Sequence, residues 1–340
     1  IGCFVPLSHG TNQGDECMND VALFNAAPLL QLLLTAMLLA VGPLTWVWLK
    51  NRQSLSVKRV RHLTVIVLFL TFDLILFGAF TRLSDSGLGC PDWPGCYGHA
   101  SPIGATQSIE AAQTAMPTGP VTWQKAWIEM IHRYLAMLVG ALILTLAFFS
   151  WRHERTLWGW PSLTLVWVCI QGAFGAFTVT MKLFPLIVSM HLLGGMLLLV
   201  LLTVQWVRQR HLIDRTSDQA LPVAVYVITL LTWLSVLMQI GLGAWVSSNY
   251  AVLACDTYPL CQSSWWPDMN FQKAFEWWRP LGQDASGQPI PFQALTAIHM
   301  VHRWHAIIPV FLMIYLVRAL IKNGFKQQGL VLLGLLVLQL

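Results

Sequence analysis

The stretch IEMIHRYLAMLVGALILTLAFF, residues 128–149, decides the fold. Beyond Tyr134 it carries no charged side chain, and a helix needs about 20 mostly apolar residues to cross a bilayer. Its charge is confined to the entrance, in Glu129, His132 and Arg133. The whole apolar run spans about 127–150, and six others match it, at about 28–49, 63–81, 158–181, 186–207, 222–246 and 295–317. An eighth, 328–340, ends with the sequence. Helix is the reading that backbone chemistry permits, because an open sheet leaves N–H and C=O groups unsatisfied in lipid. Composition agrees: 56% of the 340 residues are hydrophobic and 10% charged, against roughly a quarter charged in soluble domains. The 17 Trp gather mostly near run ends, as interfacial belts require. The expectation is an all-α polytopic membrane protein. A start at Ile1 and an end inside an apolar run predict a fragment, truncated at the C-terminus.

Basic residues follow alternate runs: Lys50, Arg52, Lys58, Arg59 and Arg61; Arg152 and Arg155; Arg208, Arg210 and Arg215; Arg318, Lys322 and Lys326. The loops 82–126, 182–185 and 247–294 are poor in Lys and Arg. The positive-inside rule places the basic loops in the cytoplasm and the others outside. Segment 1–27 then lies outside. It has no basic n-region or cleavage pattern of a signal peptide, and its Cys3 and Cys17 are either a pair or incidental.

The outer loops repeat. GAFTRLSDSGLGCPDWPGC (78–96) and GLGAWVSSNYAVLACDTYPLC (241–261) both end in Cys-x5-Cys, Cys90 with Cys96 and Cys255 with Cys261. The next helix after each carries Met130-Ile131-His132-Arg133-Tyr134 or Met300-Val301-His302-Arg303-Trp304. Such self-similarity marks a duplicated architecture. The predicted fold is therefore two pseudo-symmetric four-helix bundles in parallel repeat, with one extra leading helix. The domains are an outer segment 1–27 of unknown role, an extra helix and basic loop 28–61, a first bundle 62–215 and an incomplete second bundle 216–340.

Topology sorts the histidines. His62, His153 and His211 fall among basic residues at the inner face, and His9 and His99 in outer segments. His132, His191, His299, His302 and His305 lie in the membrane within about two turns of the outer helix ends, at 3.6 residues per turn. Ionisable groups there are costly and point to function. His132 and His191 are expected at similar depth on two helices of one bundle, where a pair of axial imidazoles fits haem b. They are 59 residues apart, and the same spacing from His302 falls at position 361, which predicts a partner beyond Leu340. His302 aligns with His132, whereas His299 aligns with Glu129 and is expected to support the ligand. No short-spaced Cys/His zinc module, covalent haem motif or nucleotide-binding glycine loop occurs, and nothing supports nucleic-acid binding. Cys169, in mid-helix, is expected to pack internally.

Glu129 to Arg133, Thr81-Arg82-Leu83, the loop Gly87-Leu88-Gly89-Cys90-Pro91-Asp92-Trp93-Pro94, His191-Leu192 and the paired Cys-x5-Cys loops together resemble the haem A synthase family, from about residue 28 onward. The extra leading helix and the loop ending Pro-Gly-Cys-Tyr-Gly-His resemble its proteobacterial branch, in the bacterial inner membrane with the cysteine loops periplasmic. The resemblance implies oxidation of the C8 methyl of haem O to a formyl group by successive hydroxylation, for aa3-type terminal oxidases. It implies that the first bundle holds haem O as substrate between His132 and His191, with Glu129 as a functional acid, and that the second holds haem b through His302. Arg82, Arg133 and Arg303 become candidates for the propionates. The cysteine pairs become disulfides of an oxidising compartment, structural or redox-active. Implied partners are haem O, haem O synthase, an unknown electron-transfer protein and a possible second copy of the chain. The rival reading is a di-haem b electron-transfer cytochrome without substrate chemistry; an acid in only one bundle argues against it. A haem exporter or chaperone is a third class.

Overall fold

The structure, a computed structural model, describes residues 24–52, 56–153, 158–214 and 221–339. His9, Cys3, Cys17 and the His153 side chain lie outside that description. The membrane helices are α1 (Leu29–Lys50), α2 (Ser56–Leu83), α3 (Trp123–His153), α4 (Gly159–Thr180), α5 (Pro185–Asp214) and α6 (Val223–Ser248), followed by α7 (Phe292–His305), α8 (Ile307–Lys322) and α9 (Lys326–Gln339). Seven spans among the described residues are long and apolar enough to cross a membrane, with α7 and α8 together forming the seventh. This is an all-α polytopic membrane protein. Side chains such as Leu38, Phe69, Phe148 and Phe311 stand exposed on these helices, an arrangement that suits lipid and not water. Cys169 is also exposed, on α4, and does not pack internally as its mid-helix position suggested.

The seventh span, expected at 295–317, runs over Phe292–Lys322; at Ala306, between α7 and α8, the regular hydrogen-bond pattern lapses while the backbone stays right-handed helical, with φ −55° and ψ −26°. Pro309 is the physical reason. It has no N–H to offer the His305 carbonyl, and its ring crowds that carbonyl. Val139 stands at the matching place in α3, which continues without a break.

The chain forms two compact units: Ile1–Leu183 with Gly194–Arg215, and Phe184–Leu193 with Thr216–Leu340. In the first, α3 packs on α1, α2 and α4. Its core joins Val60, Leu63 and Val67 of α2 to Leu138, Leu142, Ile143 and Leu146 of α3 and Leu198 and Leu202 of α5. Gln205 Nε2 donates to Thr64 Oγ1 at 3.2 Å and its Oε1 accepts from Thr164 Oγ1 at 3.4 Å, so one amide ties α2, α4 and α5 together where no water competes. The leading helix α1 belongs to this unit. Its Leu32 is buried with Cys90, Cys96, Ile109 and Met130. Just before it, Phe24–Asn25 pairs in parallel with Trp93–Pro94, and Phe24 stacks on Trp93 at 5.8 Å between centroids.

In the second unit α6 packs on α7 and α8, and α8 on α9. The long 249–291 loop folds back on it: Trp245 Nε1 donates to the Ala274 carbonyl at 3.0 Å, and Ala251, Ala274, Ala294, Ala297 and Ile298 close the core. An ionic turn holds the loop together. Lys273 Nζ lies 2.9 Å from Asp284 and 3.0 Å from Glu276, while Asp284 Oδ1 accepts from Ser286 Oγ at 2.6 Å and the Gln288 N–H at 3.0 Å. The Ser286 hydroxyl and then Lys273 hold the Asp284 carboxyl well below the usual aspartate range. A carboxyl with a depressed folded-state pKa contributes stability at neutral pH and loses it as pH falls from about 4 towards the depressed value. Amide exchange at 271–288 should therefore accelerate below about pH 4 more than exchange in the rest of the unit. An equal response in Asp284→Asn and wild type would sink this account.

Candidate functional site

In each repeat the arginine that follows the histidine clamps the disulfide loop of its own unit. Cys90 bonds to Cys96, and Cys255 to Cys261, with Cα–Cα distances of 4.9 and 4.7 Å. Setting Cys90 on Cys255 superposes the rest of the loops in sequence. Both have a cis peptide before the proline, Pro94 or Pro259, and left-handed backbone at the next matched pair, Tyr97 and Gly98 or Gln262 and Ser263. Both close with a bridge, Cys96 to His99 and Cys261 to Ser264.

Arg133 Nη1 donates to the carbonyls of Asp92 at 2.9 Å, Pro94 at 3.2 Å and Gly95. Arg303 Nη1 donates to those of Thr257 and Leu260, both at 2.8 Å. Guanidinium is suited to this, since its planar fork carries five donors. Through Nη1, Arg133 and Arg303 thus each hold the carbonyls of their own disulfide loop.

Glu129 is buried. Its Oε1 accepts from Arg133 Nη2, and its Oε2 accepts from the Cys90 backbone N–H at 2.7 Å. Helical spacing explains the first bond, since residues four apart share a face. The second ties α3 to the disulfide. In the other repeat His299 takes this place, its Nε2 accepting from Arg303 Nε at 3.2 Å. Glu129 is therefore a brace between arginine and loop, and the histidine in its place holds Arg303. Arg82 lies half-buried in the last turn of α2.

The histidines face glycines. A Cβ at Gly78 on α2 would lie 2.9 Å from His132 Cε1, and one at Gly243 on α6 would lie 3.1 Å from His302 Cε1. Gly78 and Gly243 are equivalent positions when the loops are aligned on their cysteines. Phe77 stacks on the His132 ring, with the planes nearly parallel and the centroids 6.3 Å apart. Gln239 of α6 lies against His302, with its Nε2 at 3.1 Å from Nδ1 and 3.4 Å from Nε2. His191 lies in the first turns of α5, which group with the second unit, and its buried Nδ1 has no hydrogen-bond partner among the described residues.

These glycines and Gln239 do not stand out in the sequence. The glycine signal is present but requires registering the loops on the cysteines and not on their first glycines. Gln239 gives no signal, since a glutamine in a span reads only as a polar interruption.

Among the described residues no three His, Cys, Asp or Glu side chains cluster so as to hold a bare metal ion. Separate imidazoles, each seated on a bare glycine, suit a metal that arrives with its own equatorial donors, as haem iron does.

The cytochrome oxidase assembly protein family COX15-CtaA matches residues 61–340. A protein named Heme A synthase from Shewanella oneidensis is 39% identical over 277 residues, 81% of this chain and 83% of that protein. Heme A synthase of Alkalihalophilus pseudofirmus is 27% identical over 222 residues, 62% of this chain and 67% of its own length. That of Geobacillus kaustophilus is 25% identical over 241 residues, 68% of each. The matched stretch takes in both disulfide loops, both clamping arginines and the histidines beside them, and on that ground the chain belongs to the COX15-CtaA family of cytochrome oxidase assembly proteins.

Proposed function

We propose that this chain is a haem A synthase that oxidises a methyl group of haem O to a formyl group through the alcohol. The observation that carries the reading is the repeat-related seating of His132 on Gly78 and His302 on Gly243, in a chain similar along most of its length to proteins named Heme A synthase. His132 and His191 are the residues that would hold the substrate iron, and His302 would hold a resident haem b with a further histidine. The unpartnered Nδ1 of His191 fits such a ligand. A bound haem supplies the redox-active iron that oxidation of an unactivated methyl requires. The chain's own contribution is position and exclusion of water: imidazoles set by helix packing, and disulfide loops pinned by Arg133 and Arg303. On this reading the protein lies in the bacterial inner membrane with the disulfide loops periplasmic, receives haem O from haem O synthase, and exchanges electrons with a partner protein.

The electron-transfer cytochrome remains a distinct reading because Glu129, which would distinguish the bundles, has both oxygens engaged in bracing. Pigment analysis separates the two. Full-length protein co-expressed with a source of haem O should yield haem A or its hydroxymethyl precursor on extraction, chromatography and mass analysis. His132→Ala should abolish both products while leaving the resident haem in place. Unmodified haem alone, in wild type and variant alike, would refute the synthase and favour the cytochrome.

A further inference from the structure

The two disulfide loops have different neighbours. In the second unit Cys255 and Cys261 pack with Met300 and Trp304 of α7, and the Trp266 ring stacks on that of Trp304 with centroids 4.7 Å apart. Met300 and Trp304 lie eight and twelve residues into α7, so the loop runs along the outer part of that helix and not over its end. The span Phe292–Lys322 has 31 residues, roughly 46 Å of helix at about 1.5 Å per residue, against a hydrocarbon core of about 30 Å. The basic residues Arg318 and Lys322 mark the inner boundary. About 20 residues of helix then fill the core, which brings the outer boundary to His302 and Trp304.

At that depth Trp265 and Trp266 are 68% and 70% exposed, and Tyr258 is 84% exposed. Between residues 257 and 267 the loop carries no charged side chain. With Cys90 set on Cys255, the first unit has Ala100 and Ser101 where the second has Trp265 and Trp266, and Trp93 where it has Tyr258. There the chain covers its own loop: Leu32 of α1 is buried with Cys90 and Cys96, and Phe24 stacks on Trp93. No described helix covers Tyr258, Trp265 and Trp266 in this way.

We propose that the 257–267 loop of the second unit is a lipid-contacting surface, with Tyr258, Trp265 and Trp266 seated at the outer-leaflet boundary between phospholipid headgroups and acyl chains. Indole suits that boundary, having an apolar body and an N–H for the wet side. Small residues suffice in the first unit because α1 stands where lipid would. Seated so, the loop sets hydrocarbon and not water against the part of α7 that carries His302.

The test uses full-length protein with Cys3→Ser, Cys17→Ser and Cys169→Ala, reconstituted in phosphatidylcholine–phosphatidylglycerol vesicles. A nitroxide is attached at Trp265→Cys or, as a reference on the ionic turn, at Ala285→Cys. The label at 265 should meet oxygen more than a water-soluble nickel chelate and lie roughly 5–10 Å below the phosphates, and the label at 285 should show the reverse preference. A 265 label reached mainly by the chelate would place the loop in water and overturn the proposal. One that neither reagent reaches would mean that protein, such as a second copy of the chain, covers the loop, and would overturn it too. Trp265→Phe with Trp266→Phe gives a second measurement should the cysteine variant not fold. The fluorescence difference between wild type and this variant should be quenched by phosphatidylcholine brominated near its glycerol end, and an unquenched difference would overturn the proposal.

Discussion

Arg133→Ala should destabilise the first unit by about 3–5 kcal/mol, the usual cost of breaking a buried ion pair by removing one partner. The substitution strands the Glu129 carboxylate with only the Cys90 N–H as partner and removes the donor to the carbonyls of Asp92, Pro94 and Gly95. Both residues are buried, so water does not replace the lost bonds. Glu129→Gln should cost less, because the amide oxygen still accepts from Cys90. The double variant Glu129→Gln with Arg133→Ala should recover part of the loss, since no charge is then left unpaired, and a thermodynamic cycle over the pair would give the coupling directly. Thermal unfolding in detergent is the measurement, and additive effects of the two substitutions would refute the brace. Haem A yield in Glu129→Gln separates bracing from chemistry: a yield close to wild type assigns Glu129 to bracing, and a folded protein without product assigns it a proton-linked part.

Gly78→Val should lower haem A formation by about 100-fold, the scale on which a displacement near 1 Å in a reacting constellation acts. Even a Cβ at this position would come within 2.9 Å of the His132 ring, and Phe77 on the other contact limits where the ring can go. Gly243→Val is the matched control, with a Cβ at 3.1 Å from the His302 ring. It should deplete the resident haem while leaving substrate binding in the first unit intact. Pigment extracts of the two variants should therefore differ in kind, one lacking the product and the other lacking the cofactor. Equal depletion of both pigments in both variants would show that the two histidines do not serve separate haems.

Much of the architecture was legible because lipid imposes a simple rule. A backbone in hydrocarbon must satisfy itself, so each long apolar run is a helix, and the spans expected at 127–150, 158–181 and 222–246 appear at Trp123–His153, Gly159–Thr180 and Val223–Ser248. Helices extend past the apolar run wherever nothing stops them, as α2 does by seven residues at its start. The repeat was legible for a similar reason, since the loop residues that two cysteines and a proline require recur as letters. The lapse in hydrogen bonding at Ala306 was hidden because Pro43 sits inside α1 without one being marked, so proline alone does not predict it.

By itself the sequence determined the number of spans, the duplicated loops and the histidines worth watching, because each of these depends on local chemistry and on periodicity along one chain. The tertiary structure alone decided which partners those residues have. Glu129 reaches a backbone amide 39 residues away, Gln239 reaches a histidine 63 residues away, and the turn bearing His191 groups with the second unit. Such contacts depend on the rotation of each helix about its axis and on how neighbouring helices pack. In lipid both faces of a helix can be apolar, so the hydrophobic pattern that reveals the inward face of a soluble helix carries little of that information.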